Sequence, residues 1–448
     1  MSQENRLGSL LLRLMLLALG ALPFVTAPDA ASATTLTVLH SFCGSSTTCS
    51  GSAAGASGLL QDSSGNLFGV TSNGGANGKG VVYRQSKSTA SPSFTELYSF
   101  CPSSGCADGA NPIGTLIMDT GGNLYGVTQH GGAGCSPNPN GCGTVFELVA
   151  PTSGTTWTLR TLYSFCPSSC NDGRGPQNGL TYVGAATGSL YNGTATLYGT
   201  AIAGGVNSRG VVYKLTSVAS APVETVIYAF CPVAGCADGA TPEGLITDAI
   251  GNLFGLTSNG GVDGDGDGIA DGVAYELIPV GGGSFSQTVL YAFCPSVGCV
   301  DGENPNGSPI FDGSGNLFGV TTFGGANGGG TVFRIVPSGG SSTESVIHSF
   351  CSLSACADGE SPKDGVAIDS SGNLYGATRL AGANAAGTVF ELSGSTLTTL
   401  YNFCSLASCT DGHTPSSSVI IDGSNGRLYG TTATGGGFDG GEVYKLKP

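Results

Sequence analysis

Along most of the chain, apolar runs of roughly five to seven residues alternate with clusters of Gly, Asn, Asp and Ser. The runs place β-branched and aromatic residues at alternate positions, as in Leu124-Tyr125-Gly126-Val127-Thr128 and Thr144-Val145-Phe146-Glu147-Leu148. That pattern suits a pleated surface covered on one or both sides. Beyond the N-terminal region no stretch repeats with a helical period. The pattern therefore predicts an all-β chain of many short strands joined by tight turns.

The runs recur as one unit. Its anchor is an aromatic residue or His, any residue, then Phe-Cys, at Phe42, Phe100, Phe165, Phe230, Phe293, Phe350 and Phe403. A cysteine loop follows, then usually Asp-Gly-x-x-Pro, as in Asp108-Gly109 with Pro112. Strand a comes next (Gly114 to Asp119), then a Gly-Asn turn, strand b (Leu124 to Thr128), a Gly-Gly loop and strand c (Thr144 to Leu148). Strand d, Leu159 to Phe165, leads into the next anchor. Four strands per unit match a propeller blade and far exceed one coil of a β-helix.

The repeat is also offset in phase. It opens on a strand d, Leu36 to Phe42, and ends on a strand c, Glu442 to Leu446. If the first strand completes the last unit, no terminal edge is left unpaired. The expectation is a seven-bladed β-propeller with four antiparallel strands per blade, closed by the N-terminal strand pairing with the C-terminal blade, over residues 34–448.

The first 33 residues read differently. Arg6 and Arg13 precede a short apolar core, Leu14 to Leu22, and Ala31-Ser32-Ala33 offers a cleavage site, so residues 1–33 are expected to be a secretory signal. No later segment is apolar enough to predict a membrane span. Export changes the meaning of the 16 cysteines, because an oxidising compartment favours disulfides. Each has one close neighbour: Cys43–Cys49, Cys101–Cys106, Cys135–Cys142, Cys166–Cys170, Cys231–Cys236, Cys294–Cys299, Cys351–Cys356 and Cys404–Cys409. Local pairing is therefore expected over zinc, which needs four converging ligands. Loops this short add about 2 kcal/mol each, so their role is to stiffen.

The runs L-Y-S-F, D-G-x-x-P, G-N-L-Y-G-x-T and G-T-V-F-x-L together resemble the tandem GloVer repeat of exported bacterial proteins, across nearly all of residues 36–448. The resemblance implies a β-propeller-like repeat and an extracytoplasmic location. It implies no activity, since the family is defined by its repeat. Two units depart from it: Leu190 to Thr196 inserts before Leu197 in the third, and the first lacks Asp-Gly-x-x-Pro.

Net charge is −15 with only 15 Lys plus Arg, a field that repels phosphate backbones and excludes nucleic acid as a partner. In a propeller with strand a innermost, the d–a and b–c loops share one face, which is the expected working face. There the run Asp263, Asp265, Asp267, Ile269 and Asp271 places carboxylates at alternate positions with one inward carbonyl, a spacing that can wrap one Ca²⁺. Ala274 stands where a full EF-hand has its bidentate Glu. Asp108, Asp172, Asp238, Asp301, Asp358 and Asp411 would form an acidic ring at the rim, or each would cap its own turn. The mid-strand series Phe68, Tyr125, Tyr198, Phe254, Phe318, Tyr375 and Tyr429 reads as packing between blades, and His40 and His348 as structural replacements for Tyr.

No nucleophile elbow, phosphate loop, H-E-x-x-H or dinucleotide fingerprint is present. The functional expectation is an extracellular binding or surface-interaction module that meets a polysaccharide or an extracellular protein. The alternatives are a secreted carbohydrate-active hydrolase or lyase working in the central funnel, and a structural envelope or matrix protein. A converging carboxylate pair in the funnel would favour the enzyme.

Overall fold

The computed structural model describes the chain except for residues 1–33, 44–57, 88–92, 136–140, 265, 267–269, 338–341 and 416. The expected signal segment thus lies outside the described residues, while Thr34–Pro448 forms one compact unit. Its described residues are all-β apart from three single-turn 3₁₀ helices, Ala185–Thr187, Ser354–Cys356 and Ala407–Cys409. Within each repeat the strands pair antiparallel in the order a–b–c–d, giving a propeller-like arrangement of small sheets. The second repeat is typical: Ala110–Met118, Leu124–His130, Thr144–Val149 and Thr158–Ser164. The strand Thr35–Cys43 pairs with Asp439–Lys447, from Thr35 opposite Lys447 to Cys43 opposite Asp439.

Seven separate blades are the sequence expectation, but six sheets form among the described residues. Ala110–Met118 and Arg174–Thr181, the a strands of repeats 2 and 3, meet in parallel at Thr115 and Gly179, which merges eight strands into one sheet. The reason is steric. A Cβ on Gly114 would lie 2.3 Å from the Gly179 nitrogen, so only a glycine lets the two backbones come this close. Apolar clusters fill the junctions between consecutive repeats. Phe68 and Phe100 pack with Leu124 and Phe146, Val212 and Phe230 with Leu253 and Tyr275, and Val320 and Phe350 with Leu374 and Phe390. Another joins Leu39, Phe42 and Val443 of the last sheet to Leu59, Leu67 and Tyr83 of the first repeat. Each residue of the aromatic series from Phe68 to Tyr429 lies in or against one of these clusters, as interblade packing requires.

Seven disulfides close on their near neighbours: Cys101–Cys106, Cys135–Cys142, Cys166–Cys170, Cys231–Cys236, Cys294–Cys299, Cys351–Cys356 and Cys404–Cys409. Cys43 is also disulfide-bonded, and its expected partner Cys49 lies outside the described residues. Among the described residues no helix is long and apolar enough to cross a membrane.

One irregularity places the inner surface. After its proline, strand a leaves the ladder: the pairing jumps between Ile113 and Ile117, Pro242 and Leu245, and Asn306 and Ile310. The residues in the jump turn through positive φ, at Gly114 (76°), Asn178 (58°), Gly307 (79°) and Asp364 (63°). Freed from strand b, these residues face the inner a strands of neighbouring repeats. Just before the proline, a backbone N–H donates to the b–c loop of the preceding repeat. Asn111 reaches the Lys79 carbonyl at 2.8 Å, Thr241 the Arg209 carbonyl at 2.9 Å, and Asn304 the Asp271 carbonyl at 3.0 Å.

Candidate functional site

The Asp-Gly carboxylates each turn into the cysteine loop that precedes them. The Tyr98, Tyr163, Tyr228 and Tyr291 hydroxyls donate to Asp108, Asp172, Asp238 and Asp301 at 2.8–2.9 Å. The backbone N–H groups of Cys101, Cys166, Cys231 and Cys294 donate to the same four carboxylates. Asp411 accepts from Tyr401, from the Ser405 hydroxyl and from two backbone N–H groups. Burial alone would raise the Asp411 and Asp358 pKa values, yet these hydrogen bonds hold both below the usual range. The tyrosines are pushed up, by burial first and then by the carboxylate they contact. Each carboxylate thus ties strand d to its own loop, and Asp301, Asp358 and Asp411 are buried.

His348 Nε2 lies 3.4 Å from Asp358 in the position of those tyrosines. His40 stacks on Phe94 with centroids 3.8 Å apart, and burial lowers its pKa to about 4, so it is neutral. In the expected calcium loop, Asp265, Asp267 and Ile269 lie outside the described residues. Asp263 accepts the Gly266 N–H at 2.8 Å, and Asp271 is buried beside Gly260.

The position just after the proline is different in each of these repeats. It is Ile113, Gln177, Glu243, Asn306 and Lys363 in repeats 2 to 6. Glu243 is only 3% exposed. Its carboxylate accepts from Asn178 Nδ2 at 2.8 Å and Gln177 Nε2 at 3.1 Å, which links strand a of repeat 3 to that of repeat 4. Asn306 Oδ1 accepts the Asp364 N–H at 3.3 Å, linking repeats 5 and 6. Burial raises the Glu243 pKa, opposed by those amides, by Ser258 and by the Lys363 charge. Burial likewise pushes Asp364 up to about 7, with Lys363 pulling down and Glu243 pushing further up.

Below this polar group lies a cavity of about 510 Å³. Gly58, Thr115, Thr181, Ile246, Ser308, Val366 and Ser418 line it, so strand a or its approach in all seven repeats contributes. Asn178 and Asp364 also line it, as do Ala185 and Ala186 from the a–b link of repeat 3. A cavity of this volume, mixed in polarity and fed by several elements, has the form of a small-ligand site. Sequence reasoning missed it by treating the Asp-Gly-x-x-Pro motif as the informative part. The usable signal was one residue further on, where charged and amide side chains stand in an otherwise apolar inner strand.

A family model for the repeat matches residues 26–267, 184–353 and 265–448. The chain belongs to the Gloeobacter/Verrucomicrobia repeat family. No curated protein matches it. Among solved structures, a puromycin hydrolase is 12% identical with a TM-score of 0.50, over 86% of this chain and 50% of that one. The extracellular domain of a protein described as a one-component system from B. thetaiotaomicron is 12% identical with a TM-score of 0.49. That match covers 88% of this chain, which spans only 38% of the other. An α-L-arabinanase from Penicillium chrysogenum, complexed with arabinobiose, is 12% identical with a TM-score of 0.43, over 76% and 92% of the two chains. At such identities the likeness concerns fold alone. The polar group of this family member is therefore read from its own residues.

Proposed function

We propose that this protein is an exported, seven-bladed ring that acts as a binding module, with its ligand in the axial cavity. The closed ring is supported by the Thr35–Cys43 pairing and by the apolar cluster between the last and first repeats. Export is supported by the disulfides. The observation that carries the binding reading is the broken symmetry after the proline. A ring needing only to pack would repeat an apolar residue there, as at Ile113. Buried Glu243 and Asn306 with half-buried Gln177 and Lys363 instead gather polar groups, which are costly unless satisfied or used. Asn178, Thr115, Thr181, Ser308 and Asp364 offer donors and acceptors without a fixed net charge, beside the apolar faces of Ile246 and Val366. That mixture suits a neutral, polyhydroxylated molecule the size of a mono- or disaccharide.

The test is a calorimetric screen of the oxidised protein against neutral sugars. A ligand should appear whose affinity drops about 10-fold in Asp364→Asn, the size of one lost hydrogen bond to a charged group. If no sugar binds while the fold is intact, the structural envelope or matrix reading gains instead.

A second reading rests on one further observation. Burial raises the pKa of both Glu243 and Asp364, and the Glu243 charge raises Asp364 further, which suits a carboxyl that keeps a proton to donate as a general acid. Hydrolysis of a bound glycoside that disappears in Glu243→Gln would select the enzyme.

The loop 263–271 is proposed to hold Ca²⁺ on the spacing of its carboxylates. Calcium should then raise the melting temperature of the chelated protein, and Asp263→Asn should weaken that response. No shift up to millimolar calcium would remove the ion from the account.

A further inference from the structure

Away from the axis, a shallow groove of about 240 Å³ opens at the junction of repeats 2 and 3. Gln129 and His130 at the end of one strand b form one wall, Arg174 and Gly175 at the start of the next strand a form another, and Ile202 lies in its floor. No carboxylate lines it. Lys79 stands beside it. Its carbonyl receives the Asn111 N–H, the neighbouring Ala110 pairs with His130, and its charge adds to burial in lowering the His130 pKa. Lys79 and Arg174 are exposed. Among the described residues the ion pairs are Lys87–Asp422, Arg160–Glu147 and His348–Asp358, so neither Lys79 nor Arg174 has a counter-charge. His130 Nδ1 is buried without a hydrogen-bond partner.

The groove is also built. Cys142, one of its lining residues, is bonded to Cys135, and no other repeat has this additional disulfide. The Gly175 N–H donates to the Cys142 carbonyl at 2.8 Å, fixing the two walls to each other. The extra staple therefore coincides with a groove that brings together cations unpaired among the described residues.

We propose that this groove, formed by His130 and Arg174 with Lys79 at its edge, binds a small ligand carrying a single carboxylate, of the sugar-acid class. A guanidinium takes a carboxylate through two parallel hydrogen bonds. Gln129 suits hydroxyls, and Ile202 suits the C–H face of a sugar ring. The net charge of −15 argues for a single anion. A polyanion would extend beyond the ~10 Å over which the local cations outweigh the remaining charge. This site is separate from the axial cavity and does not depend on it.

Titration calorimetry with galacturonate, galactose and sulfate at matched ionic strength tests the assignment. Galacturonate should bind at least about 10-fold more tightly than galactose or sulfate, and Arg174→Gln should remove most of that preference. Lys79→Gln should weaken it less. Both cationic side chains are exposed, so these variants keep the fold, which circular dichroism checks. Equal binding of sulfate and galacturonate would overturn the proposal. So would a galacturonate affinity indifferent to Arg174→Gln, or the absence of galacturonate binding by the folded protein.

Discussion

Gly319→Ala is expected to destabilise the oxidised protein by about 3 kcal/mol, at the upper end for overpacking in a closed core. In every repeat the glycine of strand b lies under the aromatic ring of strand c. The pairs are Gly69/Tyr83, Gly126/Phe146, Gly199/Tyr213, Gly255/Tyr275, Gly319/Phe333, Gly376/Phe390 and Gly430/Tyr444. A Cβ on these glycines would come within 2.5–2.7 Å of a ring atom. At Gly319 the nearest atom would be Phe333 Cζ, at 2.5 Å. Phe333 is fully buried, so it has no free space to move into. The glycine is needed here for room, since its φ is ordinary.

Denaturant unfolding measures the effect, and two companions give it meaning. Gly313→Ala adds a methyl where nothing lies within 4 Å and should be near neutral. Phe333→Leu in the Gly319→Ala background should recover part of the loss. A Gly319→Ala protein as stable as the parent would refute the ring-over-glycine account of the motif.

The second large effect is on pH dependence. Stability should peak in mildly acid solution, near pH 5, and fall as the pH rises to 9. Burial pushes Glu442 up to about 9, helped by the Asp411 charge, and Glu224 up to about 8, helped by Asp172. Burial likewise raises Glu344 and Asp364 to about 7, with the Asp301 and Glu243 charges adding to it. A carboxyl whose folded pKa is raised binds its proton more tightly in the folded state. Its stabilising contribution is complete below the unfolded pKa and is lost as the pH climbs through the folded one. On the acid side the sign reverses. Asp312, Asp358, Asp369, Asp411 and Asp422 have lowered pKa values, because hydrogen bonds outweigh burial, and their contribution disappears as the pH falls below the usual carboxylate range.

Glu442 should dominate the alkaline limb. It is 0% exposed, both its oxygens lack a hydrogen-bond partner, and it sits opposite Ser41 where the first and last strands pair. Glu442→Gln is expected to add about 3 kcal/mol at pH 9 and little at pH 5, less than the full shift implies because the site can relax. Melting temperatures of both proteins across pH 4–9 provide the check. A parent protein equally stable at both ends of the basic range, or a variant with an unchanged profile, would contradict it.

Much of this architecture was legible in the chain itself. Strand content follows from β-branched and aromatic alternation, which is a local property. Repeat length and the pairing of neighbouring cysteines are likewise local, because a loop of a few residues brings its ends together whatever the rest does. The Asp-Gly-x-x-Pro motif was visible too, although sequence left open whether its carboxylates faced a ligand or their own loop. The structure places each one on a Tyr or His ring of strand d and on backbone N–H groups, contacts that depend on where strand d ends.

The sequence by itself determined the unit: four strands, their order, their staples, and the glycine and aromatic positions that recur in each. It could do so because each unit is specified by contacts within itself or with its immediate neighbour. Only the tertiary structure decided which polar residues meet after the prolines, because Gln177, Glu243, Asn306, Lys363 and Asp364 come from four repeats and lie far apart along the chain. It also decided that two a strands merge through Gly114 and Gly179, and that Lys79, His130 and Arg174 gather from three repeats around one groove. Convergence of distant residues is set by how the units pack against one another, and no local pattern encodes that.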